Sequence, residues 1–167
     1  MCLASQRGAG IAAASRFEGL DAILERLNAY SGSVRPPSLA FSADGTRIAT
    51  VGYDGALRVW DATGNLSSPL LEKLDAHSSY ILSVAFSGDG TRIATGGGDG
   101  ELRVWDATGD LSAPLLVNLD AHSDWISSVT FSADGTRIAT VGMDYALRVW
   151  DATSDLSSPL LGSSTRT

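Results

Sequence analysis

Cysteine is nearly missing from this chain: Cys2 is the only one in 167 residues. A single cysteine excludes an internal disulfide and a metal site built from cysteine ligands. It is compatible with a reducing compartment, so we expect a cytoplasmic protein, with the nucleus as the alternative. Long apolar runs are missing too. Because a membrane-spanning helix needs about 20 apolar residues in succession, no membrane partner is expected.

Positive charge is also scarce. Lys and Arg number 12 against 19 Asp and Glu, which gives a formal net charge of −7 and a pI of about 4.6. Binding to a phosphate backbone depends on clustered Lys and Arg, so this balance argues against a nucleic-acid partner. Hydrophobic residues make up 44% of the chain, which indicates a folded protein rather than a disordered one.

What the chain does contain is one segment in three copies. FSADGTRIATVGYDGALRVWDAT begins at Phe41, FSGDGTRIATGGGDGELRVWDAT at Phe86 and FSADGTRIATVGMDYALRVWDAT at Phe131. The starting points are 45 residues apart, since 86 − 41 and 131 − 86 both equal 45. A fixed period in this range indicates one supersecondary unit stacked on copies of itself.

Each copy predicts four short strands, because apolar and polar residues alternate between turn-forming sequences. In the second copy we expect strands at 81–86, 91–96, 102–106 and 115–119. The predicted fold class is therefore all-β, with four-stranded antiparallel units over 38–75, 81–120 and 126–161. Residues 162–167 are predicted to be a polar tail, and the outer strand of the third copy is expected to be nearly absent after Leu161.

Residues 1–37 follow a different pattern. Leu20, Leu24 and Leu27 fall at three- and four-residue spacing, which predicts a short amphipathic helix within 11–30. A flexible start precedes this helix, and a linker at 31–37 follows it. The helix could pack on its own domain, cover an open sheet edge or dock on a partner.

The three copies resemble the WD (Trp-Asp) repeat of β-propeller proteins. The shared motifs are a histidine before the first strand, the FS-x-DG turn, IAT, an aspartate in the second hairpin turn and LRVWD, over 39–161. The resemblance implies blades around a central channel, typically 4–8 of them, so three blades form only part of a propeller. Other copies in a homo-oligomeric ring, the helix within 11–30, or the remaining blades of a longer chain would complete the structure.

The resemblance also implies a structural hydrogen-bond network in each blade. It joins a histidine to a turn aspartate on one side and, through a threonine, to the tryptophan on the other. The matching positions are His77, Thr95, Asp99 and Trp105 in the second copy, His122, Thr140, Asp144 and Trp150 in the third, and Thr50, Asp54 and Trp60 in the first. We expect this role to be structural rather than catalytic, because a buried network of this kind is favourable only when every member is satisfied.

Two positions depart from the pattern. Gly32 occupies the histidine position of the first copy, so its network is expected to be incomplete. Tyr145 stands where the other copies have Gly55 and Gly100, and a bulky residue there predicts a turn with φ below zero.

Differences among the copies indicate where a partner would bind. They collect in the second hairpin turn and in the loop that enters each copy, which hairpin geometry places on one rim. In the family that rim commonly binds partners, and interfaces favour exposed Tyr, Trp and Met. Neutral drift in the turns, with Trp125 merely shielding the next blade, is the alternative. The predicted rim residues are Tyr53, Tyr80, Gly98, Asp124, Trp125 and Met143.

Two further motifs resemble ligand-binding loops. Residues 96–100 (GGGDG) precede a strand instead of a helix, which argues against a phosphate-binding loop. Each S-x-DG turn offers one carboxylate, too few for calcium. We therefore predict no metal, no cofactor and no catalytic residue. Two rows of arginine recur with the repeat and are expected to be solvated: Arg47, Arg92 and Arg137, and Arg58, Arg103 and Arg148.

The sequence thus predicts a protein–protein interaction scaffold or adaptor, not an enzyme, that binds a protein or peptide through one rim. A fragment of a larger multidomain signalling or regulatory protein is the alternative. A propeller hydrolase is a weaker one, because such a site needs convergent carboxylates, histidines or metal ligands outside the structural network.

Overall fold

The computed structural model describes residues 38–64 and 66–164, and this part of the chain is all β. It contains no helix that is long and apolar enough to cross a membrane. The helix predicted within 11–30 lies outside the described residues. The strands are β1 (Ser38–Phe41), β2 (Arg47–Val51), β3 (Leu57–Asp61), β4 (Leu71–Lys73), β5 (Ile81–Phe86), β6 (Arg92–Gly97), β7 (Leu102–Asp106), β8 (Leu116–Asn118), β9 (Ile126–Phe131), β10 (Arg137–Gly142), β11 (Ala146–Asp151) and β12 (Leu161–Ser164).

The strands form three four-stranded sheets, which we call blade 1 (β1–β4), blade 2 (β5–β8) and blade 3 (β9–β12). Neighbouring strands are antiparallel and consecutive in sequence, so each repeat supplies one blade. In blade 2, β5 and β7 have the predicted bounds, whereas β6 lies one residue later than predicted and β8 is one residue shorter at each end. Strand ends are the least certain part of such a prediction because fraying and turn geometry decide them.

Blade 3 has its outer strand. β12 pairs with β11 from Ala146↔Ser164 to Val149↔Leu161, so the expectation that this strand is nearly absent is wrong. A ladder is made by backbone N–H and C=O groups, so an edge strand can continue without the apolar alternation that marks inner strands.

The second hairpin turn uses the left-handed conformation in all three blades. Gly55 and Gly100 have φ of 68° and 76°, and Tyr145 has φ of 61°. The prediction of φ below zero for Tyr145 is therefore wrong. Hairpin twist requires positive φ at this position whatever the side chain, and the strain on a non-glycine residue is of the order of 1–3 kcal/mol.

The hydrophobic core lies between the blades rather than within one of them. One cluster joins blades 1 and 2 and includes Val51, Leu57 and Ile81. A second cluster joins blades 2 and 3 and includes Leu102 and Ile126. Since full burial of one such side chain contributes about 1.5–3 kcal/mol, stacking between blades supplies most of the apolar stabilisation.

Arginines add a polar contact to each junction. The Arg47 guanidinium donates to the carbonyl oxygens of Ala107 at 2.5 Å and Gly90 at 2.6 Å, and lies 5.5 Å from the centre of the Phe86 ring. Arg92 repeats this contact in blade 3, to Ala152 O and Gly135 O at 2.6 Å each and over the Phe131 ring at 5.4 Å.

These contacts contradict the expectation that Arg47 and Arg92 are solvated. Each side chain crosses to the next blade, whose acceptors are 43 and 60 residues away in sequence. A partner at that separation has no signature within one repeat. Arg137, at the same position of blade 3, is exposed.

Candidate functional site

The predicted network is present in blade 2. His77 Nδ1 lies 3.0 Å from Asp99 Oδ1, and its Nε2 lies 2.8 Å from Thr95 Oγ1. Trp105 Nε1 donates to the same Thr95 oxygen at 2.9 Å. The distances fit an imidazole that donates from Nδ1 to Asp99 and accepts the threonine hydroxyl at Nε2. Every buried member has a partner, so the network is closed.

Blade 3 repeats the network with one addition. His122 lies 2.8 Å from Asp144 through Nδ1 and 2.7 Å from Thr140 through Nε2, and Trp150 donates to Thr140 at 2.9 Å. In this blade Arg148 also donates to Asp144 Oδ2 at 2.7 Å and lies 2.6 Å from His122 Nδ1.

The extra arginine affects both titrating groups of blade 3. Burial lowers the pKa of His122; Asp144 opposes that shift, and the positive charge of Arg148 adds to it. Burial would raise the pKa of Asp144, but hydrogen bonds from His122 and Arg148 outweigh it and hold the pKa below its usual value. At neutral pH the imidazole is therefore neutral and the carboxylate is ionised.

Blade 1 keeps only part of the network. Trp60 donates to Thr50 at 2.8 Å, and Asp54 accepts from Arg58 at 2.6 Å. Gly32, at the histidine position, lies outside the described residues. In this blade the aspartate is bound by the arginine four residues later, so Arg58 is not simply solvated as expected.

The residue two places before each arginine correlates with the partner that the arginine binds. In blade 2 this residue is Glu101, whose carboxylate accepts from Arg103 at 2.5 Å. In blades 1 and 3 the arginine pairs with the turn aspartate instead. Blades 1 and 3 have alanine there, Ala56 and Ala146. Residues i and i+2 share one face of a strand, so a carboxylate at this position competes for the arginine. The signal is visible in the repeats, as ALR, ELR and ALR, and it was not among the sequence-based predictions.

One group of side chains has the composition of a metal site. His77, Asp99 and Glu101 offer ligand atoms within 4.8 Å of one another. Each of these atoms already has a protein partner, since Glu101 pairs with Arg103 and Asp99 pairs with His77. The arrangement is better explained as part of the structural network than as an ion site, because an ion would have to displace these partners.

The rim predicted from the repeat differences forms around two aromatic side chains. Tyr53, in the second hairpin turn of blade 1, packs edge-on against Tyr80 at the entrance to blade 2, with ring centroids 5.0 Å apart and an interplanar angle of 78°. Tyr80 keeps 42% of its surface exposed. The pair therefore bridges two blades and leaves one ring facing solvent.

The next junction is more open. Gly98 occupies the Tyr53 position, and a methyl group there would lie 2.8 Å from Ser79 Oγ and 3.6 Å from Trp125 Nε1. Trp125 thus lies beside a glycine and a serine instead of a second ring, and 39% of it is exposed. Asp124 is exposed next to it, with its carboxylate accepting from the Trp125 amide at 2.7 Å.

In blades 2 and 3, backbone hydrogen bonds fix the second hairpin turn to the loop that enters the same blade. Gly98 N donates to Tyr80 O at 2.7 Å, and Met143 N donates to Trp125 O at 2.8 Å. All six predicted rim residues consequently lie at the same end of their blades, one in blade 1, two in blade 2 and three in blade 3. The S-x-DG turns lie at the opposite end.

Comparison with known proteins agrees with this geometry. The family model described as WD40, WD domain, G-beta repeat matches residues 24–61, 68–106 and 113–151. No curated protein matches. Among solved structures, the crystal structure of RRP9 WD40 repeats is similar, with a TM-score of 0.68 and 21% sequence identity. The similarity covers 80% of this chain and 40% of that one, so the chain spans less than half the length of this structure. The chain belongs to the WD40 repeat family.

Proposed function

We propose that this chain is a non-enzymatic interaction scaffold, an arc of a β-propeller that binds a protein or peptide through the rim around Tyr80 and Trp125. The observation that carries the proposal is the placement of these two partly exposed aromatic side chains at neighbouring junctions of one rim. Membership of the WD40 family supports an interaction scaffold in general. The likeness to RRP9 supports the fold alone.

The surroundings of Trp125 favour a partner that carries a Lys or Arg. The exposed carboxylate of Asp124 is bound only to the neighbouring amide among its described contacts, and the whole chain has a net charge of −7. A cation over an indole face contributes about 0.5–2 kcal/mol, and a carboxylate beside the indole adds to the attraction. Tyr53, Gly98 and Met143 would shape the apolar floor of the same surface.

The proposal is tested with three synthetic peptides of equal length, one rich in Arg and Leu, one in Glu and Leu, and one in Ser and Leu. Fluorescence anisotropy measures their affinity for the wild-type chain and for Trp125→Ala. We expect the basic peptide to bind best and the variant to weaken it at least tenfold, about 1.4 kcal/mol, as truncation of a buried aromatic anchor does.

Ala133→Ser, in the S-x-DG turn at the opposite end of blade 3, is the matched control and should bind like the wild type. Equal affinity of Trp125→Ala and wild type for every peptide would count against the rim. Preference for the acidic peptide would contradict the role given to Asp124. A cytoplasmic location and membership of a larger signalling protein stay predictions.

A further inference from the structure

The two ends of the blade stack expose the side chains that the inner junctions bury. Leu57 and Leu102 face the following blade and are 0% exposed, whereas Leu147, at the same position of blade 3, is 46% exposed. Val51 is buried, and its counterpart Val141 is exposed. The outer face of blade 3 is therefore built like a junction face, without a described blade against it.

Blade 1 presents the opposite half of a junction. Val84 and Val129 are buried against the preceding blade, while the corresponding residue Leu39 is exposed. Phe86 and Phe131 lie under the arginine of the preceding blade, and Phe41 at that position is 57% exposed. The outer face of blade 1 thus exposes apolar residues at the positions that, in the two inner junctions, pack against the equivalents of Val141 and Leu147.

The polar contact is complementary as well. Arg47 and Arg92 each bind two carbonyl oxygens and one phenylalanine ring of the next blade. Arg137 is exposed on blade 3, and the acceptors that the 45-residue repeat assigns to it are Gly45 O, Ala62 O and the Phe41 ring of blade 1.

Tyr145 restricts which entry loop can pack against the outer face of blade 3. A methyl group at Gly55 would lie 2.9 Å from His77 O, and one at Gly100 would lie closer still to His122 O, in the entry loop of the next blade. Tyr145 has a side chain at this position, in the same left-handed conformation. An entry loop placed like those of blades 2 and 3 would therefore collide with it.

Blade 1 is the blade whose entry sequence departs from that pattern. It has Gly32 in place of the histidine and Pro36-Pro37 before the first strand. The loop position that Tyr145 would obstruct is the one that the entry sequences of blades 2 and 3 specify, and the entry sequence of blade 1 does not share their pattern. Within one chain these two blades are at opposite ends of the stack.

We propose that a second copy of this chain packs on these two outer faces, with blade 1 of each copy against blade 3 of the other. Two stacks of three blades then close a ring of six, inside the typical range of 4–8. Both junctions of the ring are the same by two-fold symmetry, as in most homo-oligomers. The proposal does not depend on what the rim binds.

Sedimentation of the full chain tests the assembly. We expect a mass of about twice 17.4 kDa that falls to the single-chain value on dilution. Arg137→Glu and Phe41→Asp each damage one of the two complementary faces and should each raise the dissociation constant at least tenfold. Both residues are exposed in the single chain, so both variants should keep the circular dichroism spectrum of the wild type.

Mixing the two variants is the decisive measurement. A mixed pair retains one junction with both native faces, so the mixture should form more dimer than either variant does alone. Tyr80→Ala, on the rim, is the control that should leave the mass unchanged, and it separates failure of the ring from failure of the rim proposal.

Three results would overturn the proposal. A wild-type chain that stays monomeric at every concentration would leave further blades of a longer chain as the occupant. A dimer that Arg137→Glu abolishes and Phe41→Asp preserves would indicate contact between two copies of blade 3. Growth beyond the dimer into a polymer would show that the ring does not close.

Discussion

Blades 2 and 3 have almost the same sequence and the same contacts among histidine, aspartate, threonine and tryptophan, yet different surroundings. Blade 2 has a described neighbour on each face, and blade 3 has one on a single face. Leu102 and Arg92 are consequently engaged, whereas Leu147 and Arg137 are exposed. The difference shows that one repeat specifies the shape of a blade, while the adjacent blade decides what its side chains contribute to stability.

The largest expected effect comes from truncating the same leucine in the two blades. Leu102→Ala should lower the free energy of unfolding by about 2–5 kcal/mol, because it opens a cavity in a packed junction. Leu147→Ala should cost less than about 1 kcal/mol in the dilute single chain, since its side chain is half-exposed. Urea unfolding at low protein concentration measures both. Equal costs would contradict the comparison.

The next effect concerns the arginine contact. Arg92→Ala removes two charge-assisted hydrogen bonds to blade 3 and leaves two carbonyl oxygens without their donor, a loss of about 1–3 kcal/mol. Arg137→Ala should change the stability of the single chain by less than about 0.5 kcal/mol. Thermal unfolding under the same dilute conditions measures the loss of stability in both variants. A loss for Arg137→Ala as large as that for Arg92→Ala would contradict the difference between the two blades.

A pH effect is expected from His122 in blade 3. The folded-state pKa of His122 lies below the ordinary value near 6.5, so the unfolded chain binds more protons below that pH. The stability contributed by neutral His122 is complete above pH about 6.5 and declines as the pH falls toward the folded-state pKa. Chemical unfolding at pH 7.5 and pH 5.5 measures the decline, and His122→Gln should reduce it. If His122→Gln loses as much stability between pH 7.5 and pH 5.5 as the wild type, His122 is not the source of the pH dependence.

The smallest effect tests the residue beside each arginine. Ala146→Glu should draw Arg148 from Asp144 to the new carboxylate, as Glu101 holds Arg103 in blade 2. The pKa of His122 should then rise, because the repelling charge of Arg148 moves away. The expected change in stability is under about 1 kcal/mol, so NMR titration of the imidazole is the better measurement. A pKa that stays constant would show that Glu101 does not set the partner of Arg103.

The sequence predicted what repeats locally. The 45-residue period and the alternation of apolar and polar residues predicted the three blades. The motif positions predicted the contacts of His77 and His122. The rim residues lie at one end of the blades because successive hairpin connections of an antiparallel sheet alternate between its two ends. Their role in binding stays a prediction.

What the sequence did not predict depends on neighbours or on the backbone alone. The partners of Arg47 lie in another blade, so no pattern within its own repeat points to them. β12 continues through residues with no apolar alternation because its ladder needs only peptide groups. Tyr145 takes positive φ because the turn dictates it, whatever side chain is present.

The arginine contact also gives the stack a direction, which bears on how such chains can lengthen. Each blade offers a donor toward the next repeat and acceptors toward the one before. An in-frame duplication of residues 81–125 would insert one more blade. The arginine of the preceding blade would bind its carbonyl oxygens, and its own arginine would bind those of the following blade, without any further mutation. Because donor and acceptors recur in every copy of the 45-residue unit, unequal recombination could change the number of blades in one step and leave every junction intact.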